Sequence, residues 1–100
     1  MARGRLMSPQ FAEGKLVALQ RCAEEGAARG WDTVPALVDL LLAITRSDRM
    51  AQPDPERAVF HSGWGAGVLT AAGHLMAPLE QLADRIRASV IEAELAVLQP

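Results

Sequence analysis

The sequence of 100 residues lacks several features that would point directly to a location or a function. Its one cysteine, Cys22, cannot form an internal disulfide, as is usual for proteins of the reducing cytoplasm. The longest apolar stretch, VPALVDLLLAI, is shorter than the roughly 20 residues that a membrane-spanning helix needs. The opening residues, MARGRLMSPQF, contain no apolar run typical of a secretory signal. We therefore expect a cytoplasmic protein without a membrane partner.

An excess of one charge is also lacking. Ten Lys and Arg residues against 12 Asp and Glu residues give a formal net charge of -2. Nucleic-acid-binding domains usually carry a basic stripe that neutralises phosphates, and Arg3 with Arg5 forms only a small basic tip. We expect no nucleic-acid partner.

Nucleotide-binding motifs are absent, although the segment FHSGWGAGVLTAAG is rich in glycine. A dinucleotide fingerprint requires its glycines directly after a strand and at the start of a helix. Here the residues before Gly63, Gly65 and Gly67 have a helical pattern, and no Gly-Lys-Ser/Thr phosphate loop exists. Because glycine permits positive φ angles and close packing, we interpret the three glycines as a joint between two helices.

Metal-binding and catalytic spacings are absent as well. Cys22, His61 and His74 match neither a zinc-site spacing nor a nucleophile motif. We interpret Cys22 as a packed thiol and the two histidines as packed or loop residues. The expectation is a protein that is not an enzyme and has no cofactor or metal. An enzyme that uses His61 or His74 for acid–base chemistry is the least favoured alternative.

Helical periodicity dominates what is present, and no stretch alternates for long with the period of a strand. Ser8 and Pro9 predict a helix start, and Gly30 predicts its end. Apolar and small residues recur along this helix at steps of three and four and allow a neighbour to approach closely: Ala12, Leu16, Leu19, Ala23 and Gly26. The polar residues of the opposite side include Glu13, Gln20, Arg21, Glu24 and Glu25.

Four further helices are predicted after Gly30. Asp32 or Thr33 caps the second, whose residues 34–44 are almost all apolar, so we expect it in the middle of a bundle; Asp39 is interpreted as an acid at its edge. RSDRMAQPDPE is predicted as a linker. The remaining three are predicted at 55–62, 66–73 and 78–98. The sequence therefore predicts an all-α, compact bundle of four to five helices over residues 8–98, after a flexible tip at 1–7.

Two segments, FAEGKLVALQRCAEEGAARGWDTVPALVDLLLAI and GVLTAAGHLMAPLEQLADRI, resemble one N-terminal repeat of the Clp unfoldases. The matching features are a Phe that opens a long helix, small inner residues, a glycine corner, a leucine-rich helix end, a Val-Leu-x-x-x-Gly pattern and a final helix with spaced leucines. In this chain they are Phe11, Cys22, Gly26, Gly30-Trp31-Asp32, residues 40–44, residues 68–73, Leu79 and Leu82. Leu37-Val38-Asp39 stands where the family usually has Thr-Glu-His. The sequence shows one repeat, an extended C-terminal helix and no ATPase module, so we expect that it is not itself an unfoldase.

The resemblance implies a non-catalytic module that binds a protein substrate, an adaptor or a peptide-like small molecule, as an adaptor, decoy or sequestering protein. We expect a ligand groove near the start of the first helix, with Phe11 at its edge and Lys15 one turn along. Trp31 and Trp64 either seal the core or line a ligand groove. The alternative is a small helical regulatory protein, unrelated to Clp, that acts through homodimerisation.

A homodimer is also predicted from the last helix. One apolar stripe of this helix is sufficient to pack on the core, and a second stripe makes its final turns apolar nearly all round. Because an uncovered apolar surface usually marks an interface, we predict a symmetric dimer in which the Phe11 helix takes part. The predicted interface residues of the last helix are Ile86, Val90, Ile91, Leu95 and Leu98.

Overall fold

The computed structural model describes residues 9–49 and 54–99, and these residues form four α-helices and no strand. The helices are α1 (Pro9–Arg29), α2 (Val34–Arg49), α3 (Pro55–His74) and α4 (Leu79–Leu98), with a short 3-10 turn at Trp31–Thr33. The prediction of an all-α bundle of four to five helices is confirmed, with four helices. The predicted tip at 1–7 and residues 50–53 of the predicted linker lie outside the described residues. The linker prediction is wrong at residues 46–49, which continue α2, and at residues 55–56, which begin α3.

Local signals set most helix ends where they were predicted. Gly30 has a φ of 106°, which disfavours any residue with a side chain, and its N–H donates to the Gly26 carbonyl at 3.0 Å. The Thr33 hydroxyl lies 2.8 Å from the Gly30 carbonyl oxygen, which shares the hydroxyl proton with the Glu25 carboxylate. Both Gly30 backbone polar groups therefore have partners at the corner between α1 and α2. Pro78 immediately precedes the first residue of α4.

The glycine-rich segment does not interrupt the helix, and the prediction of two short helices joined at Gly63–Gly67 is wrong. The residues form one helix, α3, because α1 packs directly on their backbone. A Cβ atom on Gly67 would lie 2.6 Å from the Lys15 carbonyl oxygen, and one on Gly63 would lie 2.8 Å from the Phe11 Cα. The glycines therefore serve close helix packing, which offsets their intrinsic cost in a helix.

Small residues on α1 complete this close packing. A Cβ atom on Gly14 would lie 2.8 Å from the Trp64 backbone nitrogen. Ala18 and Cys22 continue the seam along α1 and are fully buried. A neighbouring helix does approach α1 closely, but not along the predicted stripe: Ala23 is only half-buried, and Gly26 faces the ring of Trp31 instead of a helix. Around the seam lie the larger core side chains, namely Leu19, Val34, Val38, Val68, Leu82 and Ile86.

The apolar helix α2 does not lie in the middle of the bundle, contrary to expectation. Val34, Val38 and Leu41 pack inward, mainly against α3, while α4 packs mainly on α1 and its backbone does not come close to that of α2 in the described ranges. Leu40 and Ile44 on the opposite side remain 56% and 39% exposed. The central position belongs to α1, because its small residues allow α3 to approach its backbone.

The helical periodicity predicted the exposure of one acidic residue, Asp39, correctly and that of another, Glu25, incorrectly. Asp39 is exposed on α2, in agreement with its interpretation as an edge residue. Glu25, expected on the polar side of α1, is instead only 8% exposed. Its carboxylate accepts a hydrogen bond from the Thr33 hydroxyl at 2.9 Å and lies 3.6 Å from the Arg21 guanidinium. The corner at Gly30 folds back over Glu25, and these partners compensate its burial.

Candidate functional site

A groove of about 420 Å³ lies where the start of α1, the end of α2 and the middle of α3 meet. This volume falls in the range of roughly 300–1,000 Å³ that is typical of ligand pockets in proteins. Apolar side chains supply most of the lining, and hydroxyl, imidazole and guanidinium groups supply the rest. The lining residues are Phe11, Leu42, Thr45, Arg46, His61, Ser62, Gly65, Ala66 and Leu69.

The groove exists because α3 has small residues at the point where it passes α2. A Cβ atom on Gly65 would lie 3.1 Å from the Thr45 methyl carbon, so the two helices are close at this position. The Thr45 hydroxyl donates to the Leu41 carbonyl at 2.8 Å. Ala66 is small, and Leu69, one turn further, is 64% exposed. These residues form a shallow floor with an apolar edge.

Phe11 lines the groove from the α1 side. It lies two residues after the start of α1 and is half-buried, and its backbone contacts Gly63 on α3. This contact fixes the position of Phe11 relative to α3. His61 lies on the neighbouring turn of α3, and its ring meets that of Phe60 edge to face, with centroids 5.9 Å apart.

The four predicted ligand-binding residues do not come together at this groove. Phe11 is part of the lining, whereas Lys15 is not; its backbone carbonyl faces Gly67. Trp64 packs against the core. Trp31 covers Gly26 and lies under the guanidinium of Arg87, 5.3 Å from the ring centroid. Both tryptophans thus occupy positions at the edge of the core, and whether any of the four binds a ligand stays a prediction.

Sequence reasoning missed the α2 and α3 contributions to the groove. Ser62, Ala66 and Leu69 share one face of α3 only if the helix continues through the glycines, and the predicted joint separated them. Leu42 and Arg46 lie one turn apart on the side of α2 next to this face. A prediction of one continuous helix across residues 55–74 would have placed Ser62, Ala66 and Leu69 on the same face.

His74 and Ser89 form a polar pair that lies away from the groove. Nε2 of His74 and Oγ of Ser89 lie 2.6 Å apart and share a hydrogen bond that joins the end of α3 to α4. Burial, and secondarily the charge of Arg85, lower the pKa of His74 below its ordinary value. Ser89 itself is buried. The pair is positioned to connect two helices, away from the open groove.

Cys22 is fully enclosed by the core. Burial, opposed by the charge of Arg21, raises the pKa of its thiol to about 11. The group is therefore protonated at neutral pH, and the thiolate is the nucleophilic form of cysteine. The packed-thiol interpretation of this residue agrees with its position.

The residues predicted for a dimer interface on α4 lie on two different sides of the helix. Ile86 is fully buried and Val90 packs against the same core, so these two face the interior of one copy. Ile86 is for this reason removed from the proposed interface. Ile91, Leu95 and Leu98 are exposed along the last turns, and their role in association stays a prediction.

Within residues 9–49 and 54–99, no helix is long and apolar enough to cross a membrane. The same part of the chain has no group of three or more His, Cys, Asp or Glu side chains that could hold a metal ion. Comparisons with protein-family models, with curated proteins and with solved structures find no match to this chain.

Proposed function

We propose that the chain is a non-catalytic binding module of the cytoplasm whose groove binds a short peptide segment with bulky apolar side chains. The observation that carries the proposal is the groove itself, which combines the apolar Phe11, Leu42 and Leu69 with polar groups at its rim. Sites of this composition bind apolar groups by burial and orient them through a few polar contacts.

The polar groups suit a peptide backbone as well as apolar side chains. The Ser62 hydroxyl and the Arg46 guanidinium are exposed at the groove, and both are able to donate hydrogen bonds to peptide carbonyl oxygens. Among the described residues, no carboxylate lines the groove, so a neutral or acidic segment meets no like charge from them. A peptide that places apolar side chains on Leu69 and Phe11 therefore finds donors for its backbone.

The resemblance of the sequence to a Clp N-terminal repeat supports the same class of function. It implies recruitment of protein substrates, adaptors or peptide-like natural products. A repeat of this kind would act in this way as an adaptor, a decoy or a sequestering protein. The buried, protonated Cys22 and the buried Ser89 support a role without covalent chemistry.

The test is a peptide-display selection on the full chain, followed by affinity measurement with the enriched peptides. Leu69→Glu introduces a charge into the groove, and Met76→Glu introduces the same charge at a residue that is 89% exposed and outside the groove. We expect Leu69→Glu to weaken binding by about tenfold or more, since one anchoring apolar contact is worth that much. Met76→Glu should bind as the unchanged protein does.

Backbone resonances measured by NMR provide the position of the bound peptide. Shifts concentrated at Phe11, Leu42 and Leu69 are expected, with both variants retaining the helical circular dichroism of the unchanged chain. Failure to enrich any apolar peptide, or equal affinity of the Leu69→Glu and Met76→Glu variants, would refute the groove as the binding site.

One observation favours the alternative, a small regulatory protein unrelated to Clp that acts through homodimerisation. Ile91, Leu95 and Leu98 expose apolar side chains along the last turns of α4, and exposed apolar patches often mark interfaces. Sedimentation of the Leu95→Glu variant beside the unchanged chain tests this alternative, which requires a dimer that the variant lacks.

A further inference from the structure

The side of α2 that faces away from α3 is apolar and exposed. We call the residues Ala36, Leu40, Ala43 and Ile44 the outer face of α2. All four are exposed, and the two large side chains, Leu40 and Ile44, are 56% and 39% exposed. Neither α4 nor any other described element packs on this side. An amphipathic helix would have polar residues here, so the outer face is an exception that needs an explanation.

The spacing along this side is that of a helix–helix seam. Ala36, Leu40, Ala43 and Ser47 follow one another at steps of four, three and four, which is the spacing of inward-facing residues in a coiled coil. The alanines and the serine are small and permit close approach of a second helix. Leu40 and Ile44 provide the large apolar groups at one edge of the seam.

The other edge of the seam carries two opposite charges. Asp39 and Arg46 are exposed and lie two helical turns apart on the same flank of α2, and this flank also borders the groove at Arg46. When two identical helices pack antiparallel about a two-fold axis, residues of one flank meet residues of the same flank at mirrored heights. Asp39 of one copy then faces Arg46 of the other, and the same pair repeats on the far side of the axis.

The apolar residues and the charges require two-fold axes that lie within half a residue of each other along α2. The midpoint between Asp39 and Arg46 lies between Leu42 and Ala43, and the midpoint between Leu40 and Ile44 lies at Leu42. A single two-fold axis beside Leu42 therefore brings Leu40 against Ile44 of the second copy and also forms both ion pairs.

The exposed end of α4 does not have this property. Arg87 and Glu94 have their midpoint between Val90 and Ile91, whereas Ile91 and Leu98 have theirs one turn later, between Glu94 and Leu95. An axis that pairs the charges would separate the apolar residues. Arg87 is in addition already placed over the ring of Trp31.

We propose that two copies of the chain associate through the outer faces of α2, packed antiparallel, with each Asp39 facing Arg46 of the other copy. A single pair of four-turn helices covers less than the roughly 800 Å² per partner of a standard interface. The association is accordingly weak and reversible. The ion pairs at the edge set the orientation and register more than the affinity.

The test is sedimentation equilibrium of the full chain, without peptide, from about 10 μM to about 1 mM, a range that covers weak association. The mean mass should rise with concentration from 10.7 kDa towards twice that value. Asp39→Arg and Arg46→Asp each place like charges opposite one another, and each should weaken the dimer by about tenfold or more. Both residues are exposed, so the variants should keep the helical circular dichroism of the unchanged chain.

Two combinations of these charge changes, a double variant and a mixture of the single variants, make the test specific for this pairing. The double variant Asp39→Arg/Arg46→Asp restores both ion pairs in reverse and should dimerise as the unchanged chain does. An equimolar mixture of the two single variants should form a mixed dimer, because every facing pair is then of opposite charge. Each single variant alone serves as the control for the mixture.

Three results would overturn the proposal. The first is a monomer at every concentration. The second is a dimer that neither single charge change weakens. The third is a dimer that Leu95→Glu abolishes while the charge variants leave it intact, which assigns association to α4. Only the α2 pairing predicts that dimerisation is restored both in the double variant and in the mixture of the two single variants.

Discussion

The hydroxyl of Thr33 donates a hydrogen bond of 2.9 Å to the carboxylate of Glu25, eight residues earlier and on the far side of the α1 corner. The carbonyl oxygen of Gly30 lies 2.8 Å from the same hydroxyl and shares its single proton. One side chain therefore joins the body of α1, the glycine that ends it and the turn that begins α2. This corner also brings Trp31 over Gly26, so the placement of α2 depends on it.

Replacing Thr33 with Val should destabilise the protein by about 1–2 kcal/mol, because the buried carboxylate of Glu25 loses a donor that water does not replace. Thr70→Val is the matched control. The Thr70 hydroxyl donates only to the Ala66 carbonyl within the same helix, at 2.9 Å, so its loss should cost less than about 0.5 kcal/mol. Urea denaturation of both variants measures the difference, and equal losses would contradict the role assigned to Glu25.

The close packing of α1 on α3 predicts opposite effects for one substitution at two glycines of α3. Gly67→Ala should destabilise by about 1–3 kcal/mol, because the added Cβ forces two backbones apart. Gly73→Ala should stabilise by up to about 0.5–1 kcal/mol, since alanine has the higher helix propensity and the added Cβ meets no atom within 4 Å. Thermal and urea unfolding give both values. A stabilising Gly67→Ala would contradict the direct contact of the two backbones.

Local chemistry explains why the ends of α1 and α4 were predictable. Pro9, Gly30 and Pro78 act through their own backbone geometry, so their effect can be predicted from the sequence without knowledge of the rest of the fold. The glycines of α3 did not indicate a helix end, although glycine often does, because here they make room for the neighbouring backbone of α1. Gly67 in isolation weakens a helix, and Gly67 against the carbonyl of Lys15 is what allows α1 and α3 to pack.

The position of α2 and the groove could not be predicted for a related reason. The apolar run of residues 34–44 predicts that α2 is a helix, but it does not predict which helix of the bundle is central. The central position depends on the small residues of α1. The groove depends on Phe11, Leu42 and Leu69, which belong to three helices. Only Phe11 carries a signal of its own, as an aromatic residue near a helix start, and it alone was identified as a candidate.

The partial burial of His74 beside α4 predicts that stability depends on pH. Burial, followed by the charge of Arg85, lowers the pKa of His74 in the folded state from its ordinary value of 6.5. In the unfolded chain the histidine takes up a proton near its ordinary value, so below that pH the unfolded state binds more protons than the folded state. The free energy of unfolding therefore has its full value above about pH 6.5 and decreases as the pH falls towards the lower folded-state pKa.

The His74→Gln variant isolates this contribution, because glutamine does not titrate and is able to keep a hydrogen bond to Ser89. Urea denaturation at a series of pH values from about 8 to about 5 spans the ordinary pKa of histidine. The unchanged chain should lose stability relative to the variant as the pH falls below about 6.5, since the other titrating groups are common to both. Two curves that remain parallel over this range would show that His74 titrates alike in the folded and unfolded states, and so that burial beside Arg85 does not lower its pKa.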